Sequence, residues 1–277
     1  MLPHQKRKQQ FTLLTRQPVR EMNTKQDYIA VFDSGVGGIS VLRHLRRELP
    51  NERFLYFGDS ANAPYGTRPT EEIRALTLAA AEKLVARGIK ALVVACNTAT
   101  AAAIEDLRRC YPDLIVVGIE PALKIASDRF PGGTVGVMAT PATLREGKFA
   151  RLLQRFENHC RVVKLPAAGL VELVESGKGN SPEAEELLRP LLKPHYGKLN
   201  AVVLGCTHYP FAAETISRLL GADTLLLDGG PGTARETKRR LSAAGLLKDG
   251  HGEIIIENSL NCRQTVELCR TLLEETV

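Results

Sequence analysis

Short continuous apolar runs alternate with amphipathic stretches along most of this chain. The runs predict strands at Tyr28–Phe32, Arg53–Gly58, Ala91–Ala95, Leu114–Ile119, Thr134–Ala139, Arg161–Leu165, Ala201–Leu204, Thr224–Asp228 and Glu253–Glu257. Between them, 3.6-residue periodicity predicts a helix ending at Leu49, then Thr70–Arg87, Ala99–Cys110 and a helix from about Ala142. Further helices are predicted near 169–176 and 181–194, then at Phe211–Leu220, Gly232–Ala244 and Arg263–Glu275. Strands that are apolar throughout, each followed by a helix, are the pattern of an α/β protein with buried parallel sheet. Residues 1–27 break the pattern: they are polar, aperiodic and rich in Gln and Lys, and read as a flexible N-terminal extension.

The pattern carries a weak internal echo. Leu92-Val93-Val94-Ala95-Cys96-Asn97-Thr98-Ala99 resembles Val202-Val203-Leu204-Gly205-Cys206-Thr207-His208-Tyr209. Each is an apolar strand, a small residue, a cysteine, a threonine within two positions, then a helix. The two cysteines are 110 residues apart, about one α/β domain, so two similar domains would each contribute one.

Composition narrows the function classes. At 277 residues the chain exceeds what one core usually serves, and 44% apolar residues can fill more than one. The net charge of +6 is concentrated in the extension, where six basic and two acidic side chains give +4 and leave +2 for the remainder. So balanced a body, with 5% aromatic residues and no Trp, does not read as a nucleic-acid binder. No apolar run approaches the roughly 18 residues of a membrane span, and the N-terminus lacks the apolar core of a secretory signal. Six cysteines without a C-x-x-C pair fit a reducing cytoplasmic setting.

Four predicted turns lie at carboxyl ends of strands, where open α/β sheets bind ligands: 33–38, 96–98, 139–143 and 205–208. Cys96 and Cys206 occupy two of them. A thiol at a helix N-terminus should be drawn below its free pKa of about 8.5 and become usable as acid or base. The bland alternative is a buried small hydrophobe. Asp33-Ser34-Gly35-Val36-Gly37-Gly38 is glycine-rich but neither G-x-G-x-x-G nor a Walker motif; its N–H groups could hold a carboxylate. Asp33 is a candidate for a substrate ammonium, for tuning a thiol, or for an N-cap. His208 is a candidate partner of Cys206, and Cys-x-His alone is too little for zinc. Tyr65 sits in a long loop between Pro64 and Gly66. Glu172 and Glu175, three apart on a short helix, suit a solvated face.

Together the segments Val31–Gly38, Pro64-Tyr65-Gly66, Val94–Ala99 and Leu204–Pro210 resemble the signature segments of glutamate racemases, in the aspartate/glutamate racemase superfamily. The resemblance covers about 28–260. It implies two similar three-layer α/β domains related by pseudo-symmetry, with mostly parallel sheets and an active site in the cleft between them. The first domain would comprise 28–119 with 229–277, and the second 120–228. It implies no pyridoxal phosphate and no metal, with Cys96 and Cys206 as the catalytic acid/base pair. Asp33, Ser34, Pro64, Tyr65, Gly66, Asn97, Thr98, Thr140, Thr143, Thr207 and His208 would line the substrate site. An acidic residue in a Leu-Val-Glu segment would assist, and Glu172 and Glu175 both match. Implied partners are glutamate, a second copy of the chain, and a peptidoglycan-precursor activator in members with such an extension.

On this reading one thiolate removes the Cα proton from one face while the opposite thiol returns one, interconverting L- and D-glutamate for peptidoglycan synthesis. Two other classes compete. A cysteine hydrolase would use Cys206 and His208 and show burst kinetics on an ester. A non-catalytic amino-acid-binding protein would hold glutamate without exchanging its Cα hydrogen.

Overall fold

The computed structural model describes residues 24–119, 122–145, 154, 156 and 159–275. Most of the predicted extension, and the continuation of the helix predicted from about Ala142, lie outside the described residues.

Nine strands form among the described residues: β1 Tyr28–Asp33, β2 Arg53–Gly58, β3 Ile89–Val94, β4 Ile115–Gly118, β5 Thr134–Ala139, β6 Arg161–Pro166, β7 Ala201–Leu204, β8 Leu225–Asp228 and β9 Glu253–Asn258. All pair in parallel, in two sheets of order β4-β3-β1-β2-β9 and β6-β5-β7-β8. Leaving β9 aside, the two orders are the same: the first strand of each sheet lies between the second and the third, and the fourth follows outside. The molecule is therefore two parallel-sheet α/β domains built alike.

The apolar strands split their side chains between two faces, as the two-residue strand period requires. Ile29, Val31, Phe54, Tyr56 and Val93 pack against helices Ile39–Glu48, Gly230–Ala243 and Arg263–Glu274. Ala30, Phe32, Leu55, Leu92 and Val94 face helices Thr70–Val85 and Asn97–Cys110. The second sheet repeats this, with Met138, Val202 and Leu204 under helices Leu170–Glu175, Pro182–Leu192 and Ala213–Leu220, and Val135, Val137 and Val203 over Leu123–Arg129. Each sheet is thus the middle of three layers.

The chain leaves the first sheet after β4, builds the second, and returns through Gly230–Ala243, which packs on Ile39–Glu48 before β9 closes the first sheet. In both sheets the second strand is added on one side of the first and the third on the other, so the winding reverses between the first and third strands. Val94 pairs with Phe32, and Leu204 with Met138, so Ser34 and Cys96 emerge together above one sheet and Thr140 and Cys206 above the other. That reversal is where open α/β sheets form a crevice.

Three local features depart from the sequence expectation. Leu123–Arg129 is a helix where none was predicted; it has seven residues and no side-chain cap to signal it. The long loop after β2 contains two single 3-10 turns, Ser60–Asn62 and Tyr65–Thr67. The helix predicted from Ala99 begins at Asn97, because the Cys96 sulfur itself accepts the Ala99 N–H at 3.4 Å.

Candidate active site

The glycine-rich turn after β1 makes room for other residues' side chains. A Cβ on Gly35 would sit 1.9 Å from Glu175 Oε1, one on Gly37 2.4 Å from His208 Nδ1, and one on Gly38 2.5 Å from Asp33 Cβ. The carboxylate held by this turn comes from the protein: Val36 N–H donates to Glu175 Oε1 at 2.7 Å. Asp33 is fully buried and accepts from Gly35 N–H and from the Thr207 hydroxyl, both at 3.0 Å. Burial pushes its carboxyl up to about 6, against the opposing pulls of His208, Thr207 and Gly35. It lies behind the cavity wall and takes no part in the lining.

A cavity of about 120 Å³ lies between the two sets of strand ends. Cys96 and Cys206 both line it, with Ser34, Asn97 and Thr98 from the first sheet's turns and Thr140, Thr207 and His208 from the second's. Pro64, Tyr65 and Gly66 complete one wall. The Tyr65 hydroxyl is not free, since it donates to Asp59 at 2.7 Å while the ring packs near Phe32. Thr143 stands one layer back, its hydroxyl within 3.1 Å of Thr98 and 3.0 Å of Thr140. Glu172, one of the two matches to the Leu-Val-Glu segment, lines the cavity, as do Thr67, Pro141, Ala167, Ala168, Gly169 and Val171, which were not anticipated. Most belong to the turn after β6 and its short helix, where neither periodicity nor polar residues mark a site.

The two thiols have unlike surroundings, contrary to the expectation of matched helix N-termini. Cys96 caps a helix and lies 3.4 Å from the Ser34 hydroxyl. The expectation that this cap lowers its pKa fails: burial, then the negative charge of Asp33, pushes the thiol up to about 12 despite hydrogen bonds to Ser34 and Ala99. Cys206 precedes a 3-10 turn, Tyr209–Ala212, and its sulfur lies 3.7 Å from His208 Nδ1.

His208 Nε2 in turn lies 2.6 Å from Glu175 Oε1. Burial alone would push the imidazole pKa down, but the hydrogen bonds and charges of Cys206 and Glu175 outweigh it and hold it well above its ordinary value. Burial likewise works against the Glu175 carboxylate, yet His208, Val36 N–H and the Ser60 hydroxyl draw its pKa below the usual range. Of the two candidate glutamates, Glu175 contacts His208, while Glu172 stands at the exposed side of the cavity wall. The structure therefore brings Cys206, His208 and Glu175 into one line and sets Cys96 apart from it.

Known proteins resemble this chain in sequence and fold. A family model for Asp/Glu/Hydantoin racemases matches residues 34–237. A glutamate racemase of Clostridium kluyveri is 49% identical over 258 residues, 92% of this chain and 100% of that one. The crystal structure of glutamate racemase from Francisella tularensis in complex with D-glutamate superposes with a TM-score of 0.79 at 28% identity, covering 91% of this chain and 95% of that one. The Escherichia coli glutamate racemase structure, in complex with L-glutamate and the activator UDP-MurNAc-ala, gives 0.77 at 32% identity over 90% and 94%. The chain belongs to the Asp/Glu/Hydantoin racemase family, is an amino-acid racemase, and groups within that family with the glutamate racemases.

Proposed function

We propose that this enzyme interconverts L- and D-glutamate by moving protons at Cα between Cys96 and Cys206, one on each face of the bound substrate, without a cofactor. The observation that carries the reading is that two cysteines, each following the third strand of its own sheet, share one cavity. The domain division that goes with it is 28–119 with 229–277 against 120–228.

The cavity chemistry supports an amino acid with two carboxylates. Among the described residues no Lys or Arg lines it, so carboxylates would rest on hydroxyls of Ser34, Thr98, Thr140 and Thr207 and on N–H groups opening the helix Asn97–Cys110. Asn97 lines the cavity with its buried Oδ1 unpartnered, an acceptor suited to a substrate ammonium.

The asymmetry of the thiols sets the starting state. Cys96, pushed up to about 12, holds its proton. Cys206, its sulfur 3.7 Å from His208 Nδ1, takes the part of the base. In that state Cys206 takes the Cα proton of L-glutamate, the electron pair left on Cα delocalises into the α-carboxylate, and Cys96 S–H delivers a proton to the opposite face. D-glutamate reverses the steps. Donors aimed at the carboxylate stabilise the charge that develops there. A cysteine hydrolase would use the Cys206–His208–Glu175 line as well, but would leave Cys96 without a task.

Supply of D-glutamate to peptidoglycan, cytoplasmic placement, a homodimer and activation by a peptidoglycan precursor complete the proposal; the Escherichia coli relative was solved with UDP-MurNAc-ala. The purified protein should racemise either glutamate enantiomer, followed by circular dichroism, with no response to added pyridoxal phosphate or chelator. Cys96→Ser and Cys206→Ser should each abolish the reaction. Near-full activity in either variant overturns the two-thiol reading.

A further inference from the structure

The Glu175 carboxylate has a second support, one that starts in the opposite domain at the edge of the first sheet. Its Oε1 is engaged by His208 and Val36, and its Oε2 accepts the Ser60 hydroxyl at 3.0 Å. Ser60 in turn accepts Asn258 Nδ2 at 2.9 Å, and Asn258 Oδ1 accepts Leu260 N–H at 3.0 Å. We propose that Ser60, oriented by Asn258, is a positioning residue for the Glu175–His208 pair, so that the last strand of the chain is tied to the acid/base behaviour of Cys206.

The chain of hydrogen bonds has one polarity. Leu260 N–H fixes which end of the Asn258 amide faces Ser60. The amide N–H fills a Ser60 lone pair and leaves the Ser60 proton for Glu175. Every donor points toward the carboxylate, the arrangement that favours its ionised form. Strand pairing does not explain Asn258. β9 pairs with β2 through its backbone, and any side chain would satisfy that register opposite Gly58. Asn258 is nonetheless buried, and a Cβ on Gly58 would come within 3.0 Å of its amide nitrogen. The loop bearing Ser60 is further tied to the end of β9 by Ala61 N–H on the Ser259 hydroxyl at 2.9 Å. β9 exists only because the chain returns to the first sheet, and that return places Asn258 within reach of Ser60, the donor to the second domain's glutamate.

Other titratable groups act on the same pair. Cys206 comes from the turn after β7, Asp33 from the end of β1, Tyr56 from β2 and Cys269 from the C-terminal helix. None of them is bonded to Ser60, so removing its hydroxyl perturbs the pair through Glu175 alone.

The inference rests on the two-thiol reading, and two measurements separate them. In the full-length protein, Ser60→Ala should lower kcat about tenfold, the worth of one hydrogen bond to a charged group, with KM within about twofold. The His208 imidazole, followed by 15N NMR and assigned with His208→Asn, should titrate about half to one pH unit lower in Ser60→Ala, because a less stabilised carboxylate holds the imidazolium less firmly. Asn258→Ala should shift it in the same direction by less, and Ser60→Thr, which keeps the hydroxyl, should restore kcat and titration. Unchanged His208 titration in Ser60→Ala, a change in KM alone, or a Ser60→Thr variant as impaired as Ser60→Ala overturns the proposal. Failure of the wild type to racemise glutamate would overturn the functional reading instead, while the NMR titration still tests Ser60.

Discussion

Glu175 Oε1 and His208 Nε2 stand 2.6 Å apart, joined by the packing of a six-residue helix against the turn after β7. Gly35 and Gly37 leave the space both side chains occupy, so this one contact accounts for much of the glycine-rich turn.

The pair should give stability a definite pH dependence. His208 binds its proton more tightly folded than unfolded, so its contribution is complete below its ordinary 6.5 and is lost as pH rises through the raised folded value. Glu175, with a lowered pKa, contributes fully above its ordinary 4.5 and loses that contribution as pH falls through its folded value. Both contributions are complete between those limits. Glu175→Gln should therefore cost about 3 kcal/mol near pH 5.5 and less at the highest pH at which the protein stays folded, by urea denaturation. An equal loss at both would show that the ion pair is not the cause.

Gly35→Ala should impair activity more than folding. The new Cβ would overlap Glu175 Oε1 at 1.9 Å, but that oxygen is the far end of a flexible side chain that can swing away. The variant should lose about a hundredfold in kcat while its Tm falls by only a few degrees. Because the two enantiomers are equally stable, kcat/KM must fall equally in both directions. Wild-type turnover in Gly35→Ala would disconnect Glu175 from catalysis.

Asp33→Asn should lower the Cys96 thiol pKa. Burial holds that thiol at about 12, with the Asp33 charge the next cause. Without the charge, alkylation of Cys96 by iodoacetamide at pH 8 should accelerate about fivefold, read by mass spectrometry of its peptide so that exposed Cys110 does not interfere. An unchanged or slower rate would mean that Asp33 does not set this thiol.

Far from the cavity, Lys90 is fully buried against Glu52 at 2.5 Å and also donates to the carbonyls of Lys25 and Leu246. Lys90→Met would strand the Glu52 carboxylate, which also holds Lys248 N–H. It should cost about 3–5 kcal/mol in urea denaturation, with kcat unchanged where the variant is folded. A loss under 1 kcal/mol would show that Glu52 finds water or another partner.

The strands were legible in the sequence because a buried parallel strand is an uninterrupted apolar run. Arg53–Gly58, Thr134–Ala139 and Ala201–Leu204 carry the same bounds in sequence and structure. Both cysteines and most of the wall were legible because strand-end turns carry polar residues that a core would exclude. The supporting contacts were not, and Glu175 itself entered as a site residue only through the family resemblance. Glu175 lies 139 residues from Val36, and Asn258 198 from Ser60, distances at which local pattern holds no information. The thiol environments were misjudged for a related reason. Helix position is local and readable, whereas the burial of Cys96 beside Asp33 exists only once the sheet has formed.

The two-thiol account is tested most directly by Cα hydrogen exchange in D₂O. L-glutamate is incubated with the wild-type protein and both enantiomers are analysed by NMR early in the reaction. Two bases on opposite faces predict D-glutamate carrying solvent deuterium at Cα and remaining L-glutamate still carrying hydrogen, with the mirror result from D-glutamate. Product that retains the substrate's own hydrogen, or substrate that gains deuterium as fast as product forms, would contradict it.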